Sequence, residues 1–155
     1  MSREFKLSQY EDIIRMVIEK DGEFRMYPKG TSMLPLIRQK RDSVVLVKPV
    51  KLGKHDLIFY KRDNGKYVLH RIVAVQKDGY VLCGDNQFIK EYGIRDYQII
   101  GVVNAIWREN KYISLLDKKY RLYVWFICTW FPLRAIYLRM KNFLGKGQWK
   151  LRAGR

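Results

Sequence analysis

The residues best suited to nucleophilic chemistry lie in one short loop and one apolar segment. Residues 29–35 read KGTSMLP, where the glycine and the proline favour a tight turn that leaves the hydroxyl of Ser32 exposed. Residues 67–76, YVLHRIVAVQ, have the composition of a strand and carry His70 between apolar neighbours on one face. An imidazole with an ordinary pKa of about 6.5 is a natural acceptor for a serine proton. Taken singly, the loop is also typical of a plain turn, and a lone histidine is more often a hydrogen-bonded core residue.

An acidic residue follows in the turn Gly84-Asp85-Asn86, directly after another apolar segment. The Asp85 carboxylate could cap its own turn, as aspartates often do. It could equally accept the Nδ1–H of a histidine and so hold the ring with Nε2 ready to act as a base. Other chemistries are less well supported. The two cysteines and two histidines are too scattered for a zinc cluster or a disulfide framework, and no phosphate-binding glycine-rich loop is present.

The elements that must position these residues are mostly strands. A capping-box sequence at Ser8 to Glu11, helical spacing of apolar residues and Gly22 predict one amphipathic helix at residues 8–20. Short runs rich in Val, Ile, Leu and Tyr, separated by turn residues, then predict strands, with hairpins at Asn64-Gly65 and Asp78-Gly79. The strands are expected at 24–27, 43–48, 56–61, 67–76, 79–83, 99–109 and 111–115. We expect a mainly β protein: an N-terminal helix (1–22), a twisted or partly closed antiparallel β domain (23–116) and a hydrophobic, basic helical tail (117–155).

The tail has an unusual composition. Residues 118–155 contain ten Lys or Arg, no acidic residue and nine of the 22 aromatics, within a chain of net charge +16. Inside this segment, residues 122–133 read LYVWFICTWFPL without any charge. A nucleic-acid surface would mix basic residues among the aromatics, whereas Tyr and Trp beside an apolar run with flanking Lys and Arg are typical of a bilayer interface. The tail therefore predicts contact with an anionic membrane surface, and no nucleic-acid partner is expected.

Whether this tail spans a membrane is left open by its length. A spanning helix needs about 20 apolar residues. The uncharged run has twelve, contains Pro132, and reaches residue 138 only by including Arg134. Lying in the interface, spanning the bilayer and packing as an ordinary core helix therefore all stay possible. Residues 1–15 contain no apolar stretch typical of a signal peptide, so we expect membrane association through the tail. The sequence leaves the membrane face open and favours a cytoplasmic location for the basic side.

Together and in this order, the segments resemble the type I signal peptidase family, whose clan also holds the SOS-type repressor autoproteases. The likeness rests on GTSMLP, on HDLIFY, on the strand YVLHRIVAV and on the later GDN turn, and it covers about residues 29–107. A histidine at position 70, where most bacterial members have lysine, is similar to the endoplasmic-reticulum type. The resemblance implies a mostly β catalytic domain that uses no metal or organic cofactor.

The resemblance also assigns roles to four residues. Ser32 matches the nucleophile and His70 the general base. Asp85 matches the aspartate of the GDN turn, a proposed orienter of that base. Endoplasmic-reticulum members have a further acid six residues on, where this chain has Glu91. Of the two acids we favour Asp85, because a turn aspartate is short and easily fixed.

The residues around Ser32 depart from the family in one respect. Many members have Ser-Gly before the nucleophile, with the serine helping to form the oxyanion hole, and this chain has Gly30-Thr31 instead. We therefore expect the backbone N–H of Ser32, aided by the Thr31 hydroxyl, to form that hole. Met33 and Pro35 are expected to contact the substrate at the floor of an apolar cleft.

The implied activity is that of a serine endopeptidase that cuts signal or leader peptides after small residues near a membrane. Two alternatives stay open. The chain could process the leader of one co-encoded peptide, or it could be a non-catalytic membrane-surface protein. A self-cleaving regulator is disfavoured, because Ala153-Gly154, the small-residue pair expected at such a cut, lies at the extreme C-terminus.

Overall fold

A computed structural model describes residues 2–152, so residue 1 and residues 153–155 of the predicted terminal segments lie outside the described part. The chain forms one N-terminal helix, eight strands, a short 3-10 helix at Asp96–Gln98 and two C-terminal helices. In chain order these elements are α1 (Ser2–Asp21), β1 (Glu23–Met26), β2 (Asp42–Val47), β3 (Leu57–Lys61), β4 (Tyr67–Gln76), β5 (Gly79–Cys83), β6 (Glu91–Ile94), β7 (Ile99–Arg108), β8 (Lys111–Ser114), α2 (Lys118–Thr129) and α3 (Phe131–Arg152).

The eight strands form a single antiparallel sheet that does not close into a barrel. The strands follow the order β1-β2-β7-β3-β4-β5-β6, and β8 pairs with the second half of β7. Tight turns join β3 to β4 and β4 to β5, and the glycines in them, Gly65 and Gly79, have φ of +78° and +131°, values that favour glycine. The mainly β fold, the two hairpins and the helices at both ends are confirmed.

Helix α1 is longer than the apolar spacing predicts. It begins at Ser2, so residues 8 and 11 both lie within the helix and the start predicted at residue 8 is wrong. The Glu11 carboxylate instead pairs with Arg15 one turn later, at 3.0 Å, and with Lys61 of β3, at 3.2 Å. The predicted end is confirmed, since the N–H of Gly22 donates to the carbonyl of residue 18 at 3.0 Å.

The apolar core lies on both faces of the sheet. The larger cluster joins Ile14 and Ile18 of α1 to one sheet face and to Tyr120 and Val124 of α2. A smaller cluster, around Ile58, covers the opposite face. Because the larger cluster draws on all three predicted segments, both terminal segments pack against the β domain through shared buried side chains.

Strand β6 is the element that the sequence did not predict. Its four residues, Glu-Tyr-Gly-Ile, include a charged residue and a glycine, both of which are depleted in strands. The strand forms because β5 offers an edge, on which Leu82 pairs with Glu91 and Tyr80 with Ile94. This pairing fixes the position of Glu91 relative to the rest of the sheet.

The predicted tail forms two helices separated by one residue, Trp130. Helix α2 begins after Asp117, whose carboxylate accepts the N–H of Lys119 at 3.0 Å. Pro132 falls in the first turn of α3, where a missing N–H costs no hydrogen bond. Within the described residues, no helix is both long and apolar enough to span a bilayer. The two helices carry a row of solvent-exposed apolar residues, called here the apolar stripe: Leu122, Trp125, Phe126, Trp130, Leu133, Ile136, Tyr137, Met140 and Phe143.

Candidate active site

A cleft of about 730 Å³ opens between α1, β1, the loop that follows β1, and strands β3 and β4. Ser32, Met33 and His70 all line this cleft, although they come from distant parts of the sequence. Pro35 is exposed and lies outside the described residues that line it. The structure therefore brings together the two residues expected to carry the chemistry and one of the two expected substrate contacts.

The loop that carries Ser32 is shaped by local backbone interactions. Gly30 has a φ of +99°, a conformation that L residues with side chains rarely adopt, and its N–H donates to the side chain of Gln39 at 2.9 Å. Met33 is buried in the larger core cluster, and this packing holds the loop against the core. Ser32 itself stays partly exposed between these two fixed points.

The Gly84-Asp85-Asn86 turn holds the Ser32 loop from the other side. The backbone N–H of Asn86 donates to the Ser32 carbonyl at 2.7 Å, and its side-chain amide donates to the Thr31 carbonyl at 3.1 Å. A Cβ atom on Gly84 would lie 2.6 Å from the Ser32 carbonyl oxygen, a distance that real side chains do not adopt. Gly84 therefore permits the close approach that fixes the loop that carries Ser32.

His70 is almost fully buried on β4, opposite Ile58 of β3. Its Nδ1 atom lies 3.0 Å from a carboxylate oxygen of Glu91 and 3.3 Å from the hydroxyl of Tyr60. An ionised carboxylate can only accept, so Nδ1 carries the proton in this contact and Nε2 has the free lone pair. Burial lowers the pKa of His70, and the nearby Glu91 charge partly offsets that effect. The imidazole is therefore held neutral and in the tautomer of a general base.

Glu91 is fixed by several donors at once. Burial alone would raise its pKa, but hydrogen bonds from Arg62 and Tyr60 and the proximity of His70 outweigh burial and lower it. The two contacts from Arg62 are 2.7 and 2.6 Å long and form a bidentate pair. Glu91 consequently stays ionised at neutral pH and is available to orient His70.

Asp85 has different partners, which corrects the choice of acid made from the sequence. Its carboxylate accepts two hydrogen bonds from Arg71, at 2.8 and 2.7 Å, and one from the hydroxyl of Tyr123 at 3.0 Å. Asp85 and Arg71 are both buried. In the described residues the acid in contact with His70 is Glu91, which reaches Nδ1 although Arg62 also holds its carboxylate.

Arg71 extends this buried network to the C-terminal helices. It donates to the hydroxyl of Tyr120 at 3.0 Å and to the carbonyl of His55 at 2.9 Å. Since Arg71 follows His70 on β4, and Asp85 lies in the turn that holds the Ser32 loop, the ion pair joins the strand of His70 to the loop of Ser32. Helix α2 docks on this pair through two tyrosine hydroxyls, those of Tyr120 and Tyr123.

Sequence reasoning did not find several of these supporting residues: Tyr60, Arg62, Arg71, Tyr120 and Tyr123. For Tyr60 the alternation of β3 offers a signal, because residues 58 and 60 share a face and residue 58 pairs with His70. No comparable signal marks the two tyrosines of α2. Their contacts depend on how a helix nearly 40 residues away in sequence packs against the turn.

The two donors expected to form the oxyanion hole make no hydrogen bond in the described residues. Within the described residues the N–H of Ser32 has no hydrogen-bond acceptor, so it is free to donate to a developing oxyanion. The Thr31 side chain is exposed and its hydroxyl makes no hydrogen bond in the described part of the chain. The Ser32 hydroxyl likewise makes no hydrogen bond there, and such catalytic contacts often tighten only when a substrate binds.

Other reactive groups near the cleft are poorly suited to catalysis. Burial raises the pKa of the Cys83 thiol to about 11, which keeps it protonated and a weak nucleophile at neutral pH. Among the described residues no three His, Cys, Asp or Glu side chains come together as a set of metal ligands. Comparison with protein-family models, with curated proteins and with solved structures finds no match to this chain.

Proposed function

We propose that the protein is a serine endopeptidase that uses Ser32 as nucleophile, His70 as general base and Glu91 as the residue that orients the base. The observation that carries this proposal is the pairing of His70 Nδ1 with Glu91 at 3.0 Å, beside a cleft that Ser32 also lines. Acyl transfer requires a carboxylate on Nδ1 and a serine that can reach Nε2, and Ser32 lines the same cleft as His70.

The reaction proceeds in two halves. Ser32 Oγ attacks the carbonyl carbon of the peptide while Nε2 of His70 takes the hydroxyl proton, and the resulting oxyanion accepts a hydrogen bond from the Ser32 N–H. The imidazolium then gives its proton to the leaving amine and an acyl-enzyme remains. Water, deprotonated by His70, attacks the ester and releases the second product. Glu91 stabilises the imidazolium in both halves and stays ionised throughout.

The substrate that fits this cleft is an extended peptide. Strand β1 lies at the end of the sheet, and Phe24, Arg25 and Met26 of this strand line the cleft. A sheet edge offers backbone donors and acceptors to which an extended segment can add as a further strand. We propose signal or leader peptides as the substrate class, with small residues before the cut, in keeping with the resemblance to type I signal peptidases.

The apolar stripe supports a membrane surface as the place of action. Its residues recur at helical spacing over α2 and α3, and they remain exposed although they include two tryptophans. Nine of the ten basic residues of the C-terminal segment lie in these helices, and residues 118–155 contain no acidic residue. Aromatic residues beside basic ones favour the interfacial zone of anionic membranes.

The proposed activity is tested by mass spectrometry of cleavage products. The wild type, incubated in detergent with a panel of signal and leader peptides, should cut after a small residue. The Ser32→Ala variant should show no cleavage above the peptide-alone control, because its acyl-enzyme cannot form. Ser114→Ala, which removes a hydroxyl on β8, should cut like the wild type. A single susceptible peptide would assign a dedicated leader peptidase, and undiminished cleavage by Ser32→Ala would contradict the mechanism.

A further inference from the structure

A second cavity lies on the opposite side of the β4–β5 hairpin from the active-site chemistry, where α2 meets α3. Its volume is about 280 Å³, and its walls include Lys54, Lys90, Arg134 and the half-buried Cys128. Arg71 lines the cavity as well but is paired with Asp85, so Lys54, Lys90 and Arg134 are the positively charged side chains in its wall that form no ion pair within the described residues. Nothing in the peptidase mechanism uses these three residues.

Arg134 is the most informative of the three. Its Nε and Nη1 atoms are buried, and neither has a hydrogen-bond partner in the described residues. Only Nη2 is engaged, in a long contact of 3.3 Å with the carbonyl of Gln87. Buried polar groups are nearly always hydrogen-bonded, and an unpaired guanidinium N–H in a cavity wall points to an anionic ligand.

The neighbouring cations converge on the same place. Lys90 Nζ and the guanidinium carbon of Arg134 lie 4.7 and 4.9 Å from the ring centre of Phe131. Lys54 and Arg134 line the same cavity as Cys128. Burial raises the pKa of the Cys128 thiol, and the positive charges of Arg71, Lys54 and Arg134 oppose that rise. Lys54 and Lys90 form no ion pair within the described residues.

The one acid in the cavity wall is already neutralised. Asp85 lines the cavity, but Arg71 and Tyr123 hold its carboxylate, as described above. The local field is therefore positive, and the free donors suit an anion with several oxygens. A phosphate group offers such oxygens, and arginine and lysine are its usual ligands in proteins.

The position of the cavity beside the apolar stripe favours a lipid headgroup as the source of that phosphate. Thr129 and Pro132, both exposed, line the cavity and alternate along the chain with Trp130 and Leu133 of the apolar stripe. A helix pair that rests on a membrane through this stripe would bring lipid headgroups to the level of the cavity mouth. Free phosphate would gain nothing from the adjacent apolar surface.

We propose that the cavity formed by Lys54, Lys90 and Arg134 binds the phosphate headgroup of an anionic phospholipid while the apolar stripe lies in the membrane interface. This site rests on the membrane contact proposed above and not on the peptidase chemistry. The bound headgroup would lie next to the Arg71–Asp85 ion pair, which also lines the cavity. That ion pair joins β4, which carries His70, to the turn that holds the Ser32 loop.

The site is tested by flotation of the full chain with vesicles of neutral phosphatidylcholine, with and without phosphatidic acid. The wild type should bind the anionic vesicles more tightly. Arg134→Gln should weaken that binding by about 10- to 100-fold, since charge-assisted hydrogen bonds are lost. Arg121→Gln, which removes an equal charge from the exposed face of α2, should weaken it by only about fivefold. Lys54→Gln and its neighbour Lys51→Gln provide a second matched pair away from the helices.

This experiment distinguishes the membrane contact of the helices from the headgroup site in the cavity. Binding of the wild type to vesicles, with equal losses for Arg134→Gln and Arg121→Gln, would leave the membrane contact standing and overturn the headgroup site. If inorganic phosphate binds the wild type but the matched pairs do not differ on vesicles, the cavity serves a soluble anion and the lipid is excluded. As a positive sign, phosphatidic acid vesicles should slow alkylation of Cys128 in the wild type but not in Arg134→Gln.

Discussion

Replacing Glu91 by Gln should lower kcat by about 10²- to 10⁴-fold while the protein stays folded, because an amide cannot stabilise the imidazolium and can present the wrong group to Nδ1. The structure gives the reason, since Glu91 is the acid that contacts His70, at 3.0 Å. KM should change little, as Glu91 acts through His70 and not on the peptide. Cleavage kinetics on a susceptible peptide measure both constants.

The pH profile separates this positioning role from a merely structural one. Burial lowers the pKa of His70, and the Glu91 charge partly offsets that lowering. Removal of the charge takes away the offset, so the acid limb of kcat/KM should move to lower pH in Glu91→Gln. Glu19→Gln, which breaks an exposed ion pair with Lys48, is the matched control and should leave both kcat and the limb unchanged. A wild-type profile and rate in Glu91→Gln would contradict the assignment.

Asp85→Asn should mainly reduce stability, by about 3–5 kcal/mol, because it leaves the buried charge of Arg71 without its counter-ion. Small domains are stable by only about 5–15 kcal/mol, so the variant should unfold at a much lower urea concentration than the wild type. Tyr123→Phe removes a single hydrogen bond to the same carboxylate and should cost about 1.5–3 kcal/mol. Urea titration followed by tryptophan fluorescence gives the midpoints.

The control for this prediction is Asp78→Asn, which changes an exposed acid in the β4–β5 turn. Its free energy of unfolding should stay within about 0.5 kcal/mol of the wild-type value. If Asp85→Asn kept the wild-type midpoint but lost activity, Asp85 would be the acid that serves the base. Asp85 would then have the role of orienting His70 that the contacts indicate for Glu91.

Much of the fold could be predicted because its determinants are local. Alternating apolar residues mark seven of the eight strands, and the turn after Asn64 places Gly65 at a φ of +78°, a conformation that few other residues adopt. Strand β6 could not be found in this way, since its formation depends on pairing with β5. The sequence predicts the start of α1 at residue 8, whereas the helix begins at Ser2. A glutamate at such a spacing can also form ion pairs inside a helix, as Glu11 does with Arg15 and Lys61.

The site was predictable in its order but not in its pairing. A tight loop and a histidine-bearing strand suggested Ser32 and His70, and the structure places both beside one cleft. An arginine holds each acid through two hydrogen bonds, Arg71 for Asp85 and Arg62 for Glu91, and in the described residues the further contact to His70 comes from Glu91. Glu91 is placed there by the pairing of β6 with β5, and such long-range pairing has no signature in the spacing of residues.

The most direct test of the central claim is covalent labelling with a fluorophosphonate, which reacts with activated serines and needs no knowledge of the natural substrate. Intact-mass and peptide mass spectrometry should find one adduct, on Ser32, formed by the wild type. His70→Ala should label far more slowly, because its serine has no base, and Ser32→Ala should not label at all. Labelling at another residue, or equal labelling of the wild type and His70→Ala, would contradict a serine activated by His70.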